Sequence, residues 1–189
     1  RGLGDVYKRQ GYPWSRLKKN YPKLIYAKIS GFGENGPMSK LPAYDVIVQA
    51  MSGIMSITGS SKDSFSRVGT SIGDIAAGLF CTIGIISALY DRQTSKFGTK
   101  IDISMLDCQI AILENAIARY SVSNENPTPL GTDHPSISPF GAFNTLDENI
   151  VLAAGNNKIF KKLCFLLSRK DLYNNELFLS LIHISEAHE

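Results

Sequence analysis

Asp74 is the residue of this chain whose position most directly suggests chemistry. It ends the run RVGTSIGD (residues 67–74) and directly precedes an uncharged apolar run, residues 75–90. The length of that run predicts a buried helix rather than a strand. A carboxylate at the start of such a helix is either an N-terminal cap or a nucleophile. The helix dipole favours its anion in both cases, and the nucleophile would need a dry pocket.

Other side chains could compete with Asp74 for a chemical role. Asp45 and Asp107 each lie near a predicted helix start, which favours a first-turn or capping role for both. His134 lies in a proline-rich loop, and we interpret it as a structural loop residue rather than a base.

A glycine-rich run, GFGENGP (residues 31–37), follows a β-rich run at residues 24–30. Its spacing matches the G-x-G-x-x-G pattern of dinucleotide sites. That pattern requires an apolar helix directly afterwards, whereas Pro37 and a polar run follow here. We therefore predict a loop at a strand end, where the glycine backbone can approach a ligand closely.

Composition narrows the class of protein. The 189 residues carry a net charge of +3, and no basic run is interleaved with aromatic residues, so nucleic acid is not an expected partner. The three cysteines lie in apolar contexts without metal-ligand spacing, which predicts core thiols in a reducing compartment and no metal site. The apolar run after Asp74 falls short of a membrane span, so we expect no membrane partner and a cytoplasmic protein, or a matrix protein in mitochondria.

The two ends of the chain differ from the rest. Residues 1–10 read RGLGDVYKRQ and residues 179–189 read LSLIHISEAHE. Inverted copies of one DNA segment can encode both, which predicts that they derive from a sequencing adapter and are not native. We expect residues 11–178 to be an internal piece of a longer protein.

The remaining patterns alternate between strands and helices, which predicts an α/β fold. Strands are expected at residues 24–30, 99–104 and 149–154. Helices are expected at residues 14–19, 44–55, 75–90, 105–120 and 157–167. Polar loops are expected at residues 60–65 and 124–139.

A set of motifs in fixed order resembles the class III CoA-transferases, the CaiB/BaiF family that includes formyl-CoA transferase and carnitine CoA-transferase. The resemblance covers nearly all of residues 11–178. The motifs are NYPKLIY (20–26), SGFG (30–33) with GP (36–37), YD (44–45) with QAMSG (49–53), GD (73–74) with Gly78, Gly98 with IDISMLD (101–107), and HPSI (134–137).

The resemblance implies both a fold and a chemistry. It implies a Rossmann-like large domain at residues 11–123, a crossing loop and the start of a small domain at 124–178, and an interlocked homodimer. It implies that Asp74 attacks the thioester of an acyl-CoA and that a small carboxylic acid finally receives the CoA. Coenzyme A thioester is then a substrate, and no cofactor is held permanently.

The resemblance also implies the residues of the substrate pocket. Tyr44, Gly31, Gly33, Gly73 and His134 are expected to line it. The glycine-rich substrate loop of formyl-CoA transferase is absent, and residues 131–140 stand in its place. This disfavours formyl and oxalyl groups and favours another acyl group, such as a dicarboxylic one.

Two other functions stay open at this point. The related α-methylacyl-CoA racemases carry histidine at the position of Tyr44, and the absence of that histidine disfavours racemisation without excluding it. A non-catalytic CoA-binding or assembly module is the other alternative. Because most CoA contacts of the family lie upstream of Gly11, we expect the present chain alone to be inactive and to expose apolar surface.

Overall fold

A computed structural model of the chain describes residues 11–175 and residue 178. The two ends that we predict to be adapter-derived lie outside these described residues. The described residues form two compact units. One contains residues up to 59 together with 65–128, and the other contains residues 60–64 and the residues from 129 onward.

The first unit alternates strands and helices. Its elements are α1 (Trp14–Asn20), β1 (Tyr26–Ser30), α2 (Asp45–Ser52), a 3₁₀ turn (Met55–Ile57), α3 (Ile72–Ser95), β4 (Lys100–Ser104), α4 (Met105–Ala111) and α5 (Glu114–Ser123). A short hairpin of β2 (Gly59–Ser61) and β3 (Ser64–Phe65), most of which belongs to the second unit, replaces the loop predicted at residues 60–65. The α/β prediction is confirmed.

Strands β1 and β4 form a parallel pair, with Tyr26 opposite Lys100 and Ser30 opposite Ser104. Parallel strands need a long crossover, and α2 and α3 lie on it. The β1 turn and the start of α4 therefore meet at the carboxyl end of this pair, where the Leu106 amide donates to the Gly31 carbonyl at 3.1 Å. Ligands of open α/β sheets bind at this edge.

Helix α3 is only partly buried among the described residues, which corrects the prediction of a buried helix. Ala76, Ala77 and Cys81 face the core, together with Gly73 and Ala88. An apolar stripe at helical spacing faces outward; its members are Ile75, Leu79, Ile83, Ile86 and Tyr90. The physical reason is that α2, α4, β1 and β4 all pack against one side of α3. Exposed apolar surface was expected for this chain.

The length of α3 was also underestimated. The helix has 24 residues, because it continues through the charged run after Tyr90 as far as Ser95. Among the described residues it is the one helix long and apolar enough to cross a membrane, by length and composition alone. The helix is thus longer than the apolar run on which the sequence argument about spanning length rested, and the expectation of no membrane partner stays a prediction.

The predicted helix at residues 105–120 is two helices. Helix α4 ends at Ala111, and α5 begins at Glu114. The Leu113 amide bonds to the Ile110 carbonyl at 3.1 Å, which tightens the last turn, and the Leu113 side chain is buried. Burial of this leucine stabilises the break, although the local sequence is compatible with a continuous helix.

The second unit contains an antiparallel pair and two helices. These are β5 (Phe140–Asn144), β6 (Asn149–Ala153), α6 (Asn157–Leu166) and α7 (Lys170–Tyr173). Strand β6 and helix α6 confirm the sequence prediction, whereas β5 was not predicted. Ala154, Phe160 and Cys164 form the core of this unit.

The core of the first unit lies where α2, α3 and α4 meet. Its buried members are Val48, Ala76, Ala77, Met105 and Cys108. Small residues on α3 allow the three helices to approach closely, and close packing leaves little freedom for relative movement. The start of α3 is therefore held by the same core that holds the start of α2.

Candidate active site

Asp74 is the third residue of α3 and lies in its first turn. The helix therefore begins before Asp74 rather than directly after it, and the N-terminal cap, one of the two alternatives for Asp74, is not its position. Ser71 occupies the cap position, but its side chain makes no capping hydrogen bond. Asp74 is exposed among the described residues, and no dry pocket encloses it there. The free amides of the first turn still favour a negative charge at this position.

The missing cap of α3 comes from another helix. Asp45, the first residue of α2, accepts a hydrogen bond from the Gly73 amide through Oδ1 at 2.8 Å. Gly73 lies in the first turn of α3, where backbone amides have no acceptor within the helix. Asp45 was predicted to be a first-turn or capping acid of its own helix; it lies in the first turn of α2, but the amide that it caps belongs to α3. The helix that it caps begins 27 residues further along the chain.

Gln49 extends this contact and was missed by sequence reasoning. Its side chain is fully buried, and its Nε2 donates to Asp45 Oδ2 at 2.8 Å. Its Oε1 accepts from the Val68 amide at 2.8 Å, so the segment that leads into α3 is bonded to α2. The spacing of Asp45 and Gln49 is i, i+4 on a predicted helix, which is the signal that could have identified the pair.

Tyr44 lies next to this junction. It occupies the cap position of α2, and its carbonyl accepts from the Ile47 and Val48 amides. Its side chain is 77% exposed and therefore accessible to a ligand. Tyr44 and Asp74 are thus the immediate chain neighbours of Asp45 and Gly73, the two partners of one hydrogen bond.

The two predicted loop glycines occupy different positions. Gly31 packs against Ala43, the residue before Tyr44, so closely that a Cβ at residue 31 would overlap the Ala43 methyl group. Gly33 is buried with a φ of +77°, where other residues are strained, and it lies beside Asp102 and Ser104 of β4. Gly31 is therefore joined to the Tyr44 segment, and Gly33 to the end of β4.

His134 lies in the second unit. Its Nδ1 accepts from the Ser136 amide at 3.2 Å, and its ring lies 5.1 Å from the Phe140 ring. Its backbone amide donates to the Phe140 carbonyl at 3.0 Å. These contacts agree with the interpretation of a structural loop histidine. The predicted role in the substrate pocket stays a prediction.

An ionic cluster that the sequence did not predict lies beside the glycine loop. Glu34 pairs with Lys28 of β1 at 3.3 Å and with Lys100 of β4, and its backbone amide donates to Asp102 at 2.8 Å. Burial by itself raises the pKa of Glu34, but the hydrogen bonds and charges of Lys100 and Lys28 together outweigh burial, and the pKa is lowered. The cluster ties the loop to both strands of the parallel pair.

The cysteines behave as core residues. Cys81, Cys108 and Cys164 are all free and buried. Burial raises the pKa of the Cys108 thiol, and the neighbouring charge of Asp107 raises it further. Asp107 itself lies in the first turn of α4, where its amide donates to the Ser104 cap at 3.2 Å.

In the part of the chain that the structure describes, no three His, Cys, Asp or Glu side chains are grouped in a way that could hold a metal ion.

Comparison with known proteins assigns this arrangement to a family. The family model described as CoA-transferase family III matches residues 4–186. The chain is 42% identical over 174 residues to acetyl-CoA:oxalate CoA-transferase of Acetobacter aceti, covering 92% of the chain and 45% of that protein. It is 37% identical over 174 residues to succinate–glutarate CoA-transferase of Agrobacterium fabrum, covering 92% and 44%.

A solved structure gives the same result for the fold. A CaiB/BaiF family protein from Brucella suis superposes with a TM-score of 0.79 at 34% identity, covering 99% of this chain and 50% of that one. The chain thus spans about half the length of the relatives that it matches. With the matched family model and the shared fold, the chain belongs to CoA-transferase family III.

Proposed function

We propose that the complete protein transfers CoA from an acyl-CoA donor to a small carboxylic acid, with Asp74 as the nucleophile. The observation that carries this proposal is the position of Asp74 in the first turn of α3, directly after Gly73, whose amide bonds Asp45, the residue that follows the exposed Tyr44. A carboxylate is a weak nucleophile and depends on placement, which a packed helix start supplies.

The proposed reaction proceeds through two kinds of aspartyl intermediate. The Asp74 carboxylate attacks the thioester carbonyl, which forms a mixed anhydride and releases CoA thiolate. The thiolate attacks the aspartyl carbonyl, giving an aspartyl-CoA thioester and the free donor acid. The acceptor carboxylate displaces the thiolate from this thioester, and the thiolate then attacks the acceptor carbonyl of the new anhydride. The acceptor leaves as its CoA thioester, and Asp74 is regenerated.

The proposed acceptor is a small dicarboxylic acid. Relatives of this chain are named for oxalate, glutarate and mesaconate, which are all dicarboxylic acids. The relative named for oxalate is 42% identical, so the sequence argument against oxalyl groups receives no support. We propose that Tyr44 lines the acyl site with its hydroxyl, and that Gly31, Gly33 and Gly73 form other parts of the pocket.

The test uses the complete protein with Asp74→Ala, and Asp91→Ala on the same helix as the matched control. With acyl-CoA and no acceptor, we expect mass spectrometry to find a CoA adduct on the peptide that contains Asp74, in the wild type and in the control. Asp74→Ala should show no adduct and no transfer. Wild-type turnover by Asp74→Ala would overturn the assignment of the nucleophile.

Isotope exchange separates transfer from racemisation. In heavy water, a racemase incorporates deuterium at the α-carbon of a 2-methylacyl-CoA, because a base removes that proton. We expect CoA transfer to an added dicarboxylic acid without α-deuteration. Deuteration without transfer would contradict the proposal.

The 189-residue chain alone is proposed to be inactive. Productive orientation of a bound substrate contributes up to about 7–11 kcal/mol to catalysis. The family resemblance implies that most CoA contacts lie outside this chain, and we propose that this contribution is largely lost in it. Transfer by the purified chain at about 1 per second or faster would show that the other regions are not needed.

A further inference from the structure

The start of α3 depends on a side chain from another element. Asp45 Oδ1 accepts the Gly73 amide hydrogen at 2.8 Å, whereas the local cap residue Ser71 makes no side-chain bond to the helix. A carboxylate that caps a helix from outside its own segment fixes the direction of the first turn as well as satisfying an amide. Asp74 is the next residue along that turn.

Gln49 holds the segment that enters the same turn. It bonds Asp45 Oδ2 and the Val68 amide, each at 2.8 Å, and its Nε2 lies 3.5 Å from the Thr70 carbonyl. The Gln49 side chain is fully buried, so leaving its amide without a hydrogen bond would be costly. Asp45 and Gln49 thus bind both the approach to α3 and its first turn.

We propose that Asp45 and Gln49 are positioning residues that set the location of the Asp74 carboxylate, and this proposal rests on the proposed function. The two residues belong to α2, whose start carries Tyr44. One helix end therefore fixes the nucleophile and a proposed pocket residue relative to each other. Neither Asp45 nor Gln49 needs to touch the substrate for this role.

The contact between α2 and α3 at Gly73 is tightly packed. A Cβ at Gly73 would lie 2.8 Å from Val48 Cγ2 and 2.9 Å from Asp45 Oδ1, so α2 and α3 are in direct contact at residue 73. Val48 is fully buried and cannot move aside into solvent. Loss of the Asp45 carboxylate would free the Gly73 amide and allow the first turn of α3 to shift.

The experiment compares three variants of the complete protein, Asp45→Ala, Asp45→Asn and Gln49→Ala, with Asp91→Ala as the control. Asp45→Ala removes both hydrogen bonds. Asp45→Asn keeps the volume and an oxygen for the Gly73 amide, but its NH₂ group then faces the Gln49 NH₂ group. Gln49→Ala keeps the Gly73 bond and releases Val68.

Activity and structure are measured separately. Because a misplacement of about 1 Å can cost about 100-fold in rate, we expect Asp45→Ala to lower kcat by that order while KM for acyl-CoA stays nearly constant. Hydrogen exchange of the Gly73 amide should accelerate in Asp45→Ala and stay slow in Asp45→Asn. Asp45→Asn should recover at least about tenfold of the lost kcat, and Gln49→Ala should lower kcat less than Asp45→Ala.

The outcomes distinguish this inference from the proposed function. If Asp74→Ala keeps its activity, the proposed function fails. If Asp74→Ala is inactive and Asp45→Ala has wild-type kcat, only the positioning role fails. The positioning role also fails if Asp45→Asn loses as much kcat as Asp45→Ala while its Gly73 amide stays protected. If Asp45→Ala does not fold, Asp45→Asn and Gln49→Ala decide the question by the same two measurements.

Discussion

Three glycines on α3 provide a direct test of how tightly the start of this helix is packed. Alanine is more favourable than glycine in a helix interior by at most about 1 kcal/mol, so any loss of stability on Gly→Ala substitution reports a steric cost. Among the described residues, and apart from its chain neighbours and the adjacent backbone of α3 itself, no heavy atom lies within 4 Å of a Cβ at Gly78, whereas a Cβ at Gly84 would lie 3.1 Å from Ile101 Cγ2. At Gly73 two atoms lie closer than 3.0 Å.

The three substitutions should therefore differ in sign. Gly78→Ala should stabilise the protein by about 0.5–1 kcal/mol. Gly84→Ala should be close to neutral, because a small movement of Ile101 offsets the helix gain. For Gly73→Ala, overpacking costs about 1–3 kcal/mol, and displacement of Asp45 from the Gly73 amide costs about 1.5–3 kcal/mol more. After the helix gain of about 0.5–1 kcal/mol, the net loss should be about 1.5–5.5 kcal/mol.

The measurement is urea unfolding of the purified protein and its three variants, followed by far-ultraviolet circular dichroism. If the urea midpoint shifts while the slope of unfolding free energy against urea concentration is unchanged, the substitution has changed stability. Gly78→Ala is the matched control, since it makes the same chemical change on the same helix. Equal stability of Gly73→Ala and Gly78→Ala would refute the close contact between α2 and α3, and with it the packing argument for the position of Asp74.

Three further predictions concern other parts of the chain. The pKa of Glu34 is lowered in the folded protein, so the ionised Glu34 side chain stabilises the fold above its ordinary pKa, and this stabilisation is lost as the pH falls through the lowered pKa. Glu34→Gln should therefore flatten the acid limb of a plot of unfolding free energy against pH. In a Cys81→Ala, Cys164→Ala variant, Cys108 is the single thiol, and burial should make it react with Ellman's reagent much more slowly in the native state than in urea; equal rates would contradict its burial. Asn156 caps α6 by accepting from the Ile159 amide at 3.0 Å, so Asn156→Ala should cost about 1 kcal/mol in thermal or urea unfolding, and Lys158→Ala, on the exposed first turn, serves as its control.

Local patterns predicted most of the elements that position the candidate site. The β-branched and aromatic residues at 24–30 and the alternation at 99–104 indicated β1 and β4, and the uncharged run after Asp74 indicated α3. These signals depend on residues that are near one another in sequence, so they can be read without the fold. The ordered motifs likewise identified the family, because several specific spacings occur together in one chain.

Other features depended on residues far apart in sequence. The break between α4 and α5 follows from burial of Leu113, and β5 is a strand because it pairs with β6. The outward-facing stripe of α3 was not predicted as such, since an apolar residue gives the same local signal whether or not another element covers it.

What the sequence determines and what the tertiary structure decides are most clearly separated at Asp74, the candidate nucleophile. The sequence by itself determined that an aspartate begins a long apolar helix and that an acid begins the preceding one. Only the tertiary structure decided that Asp45 caps the helix of Asp74 rather than acting within its own segment alone, and that Gln49 binds the segment between them. Local propensity carries no information about which distant amide a carboxylate will meet. That choice is made by the packing of α2 against α3, which is a property of the folded chain.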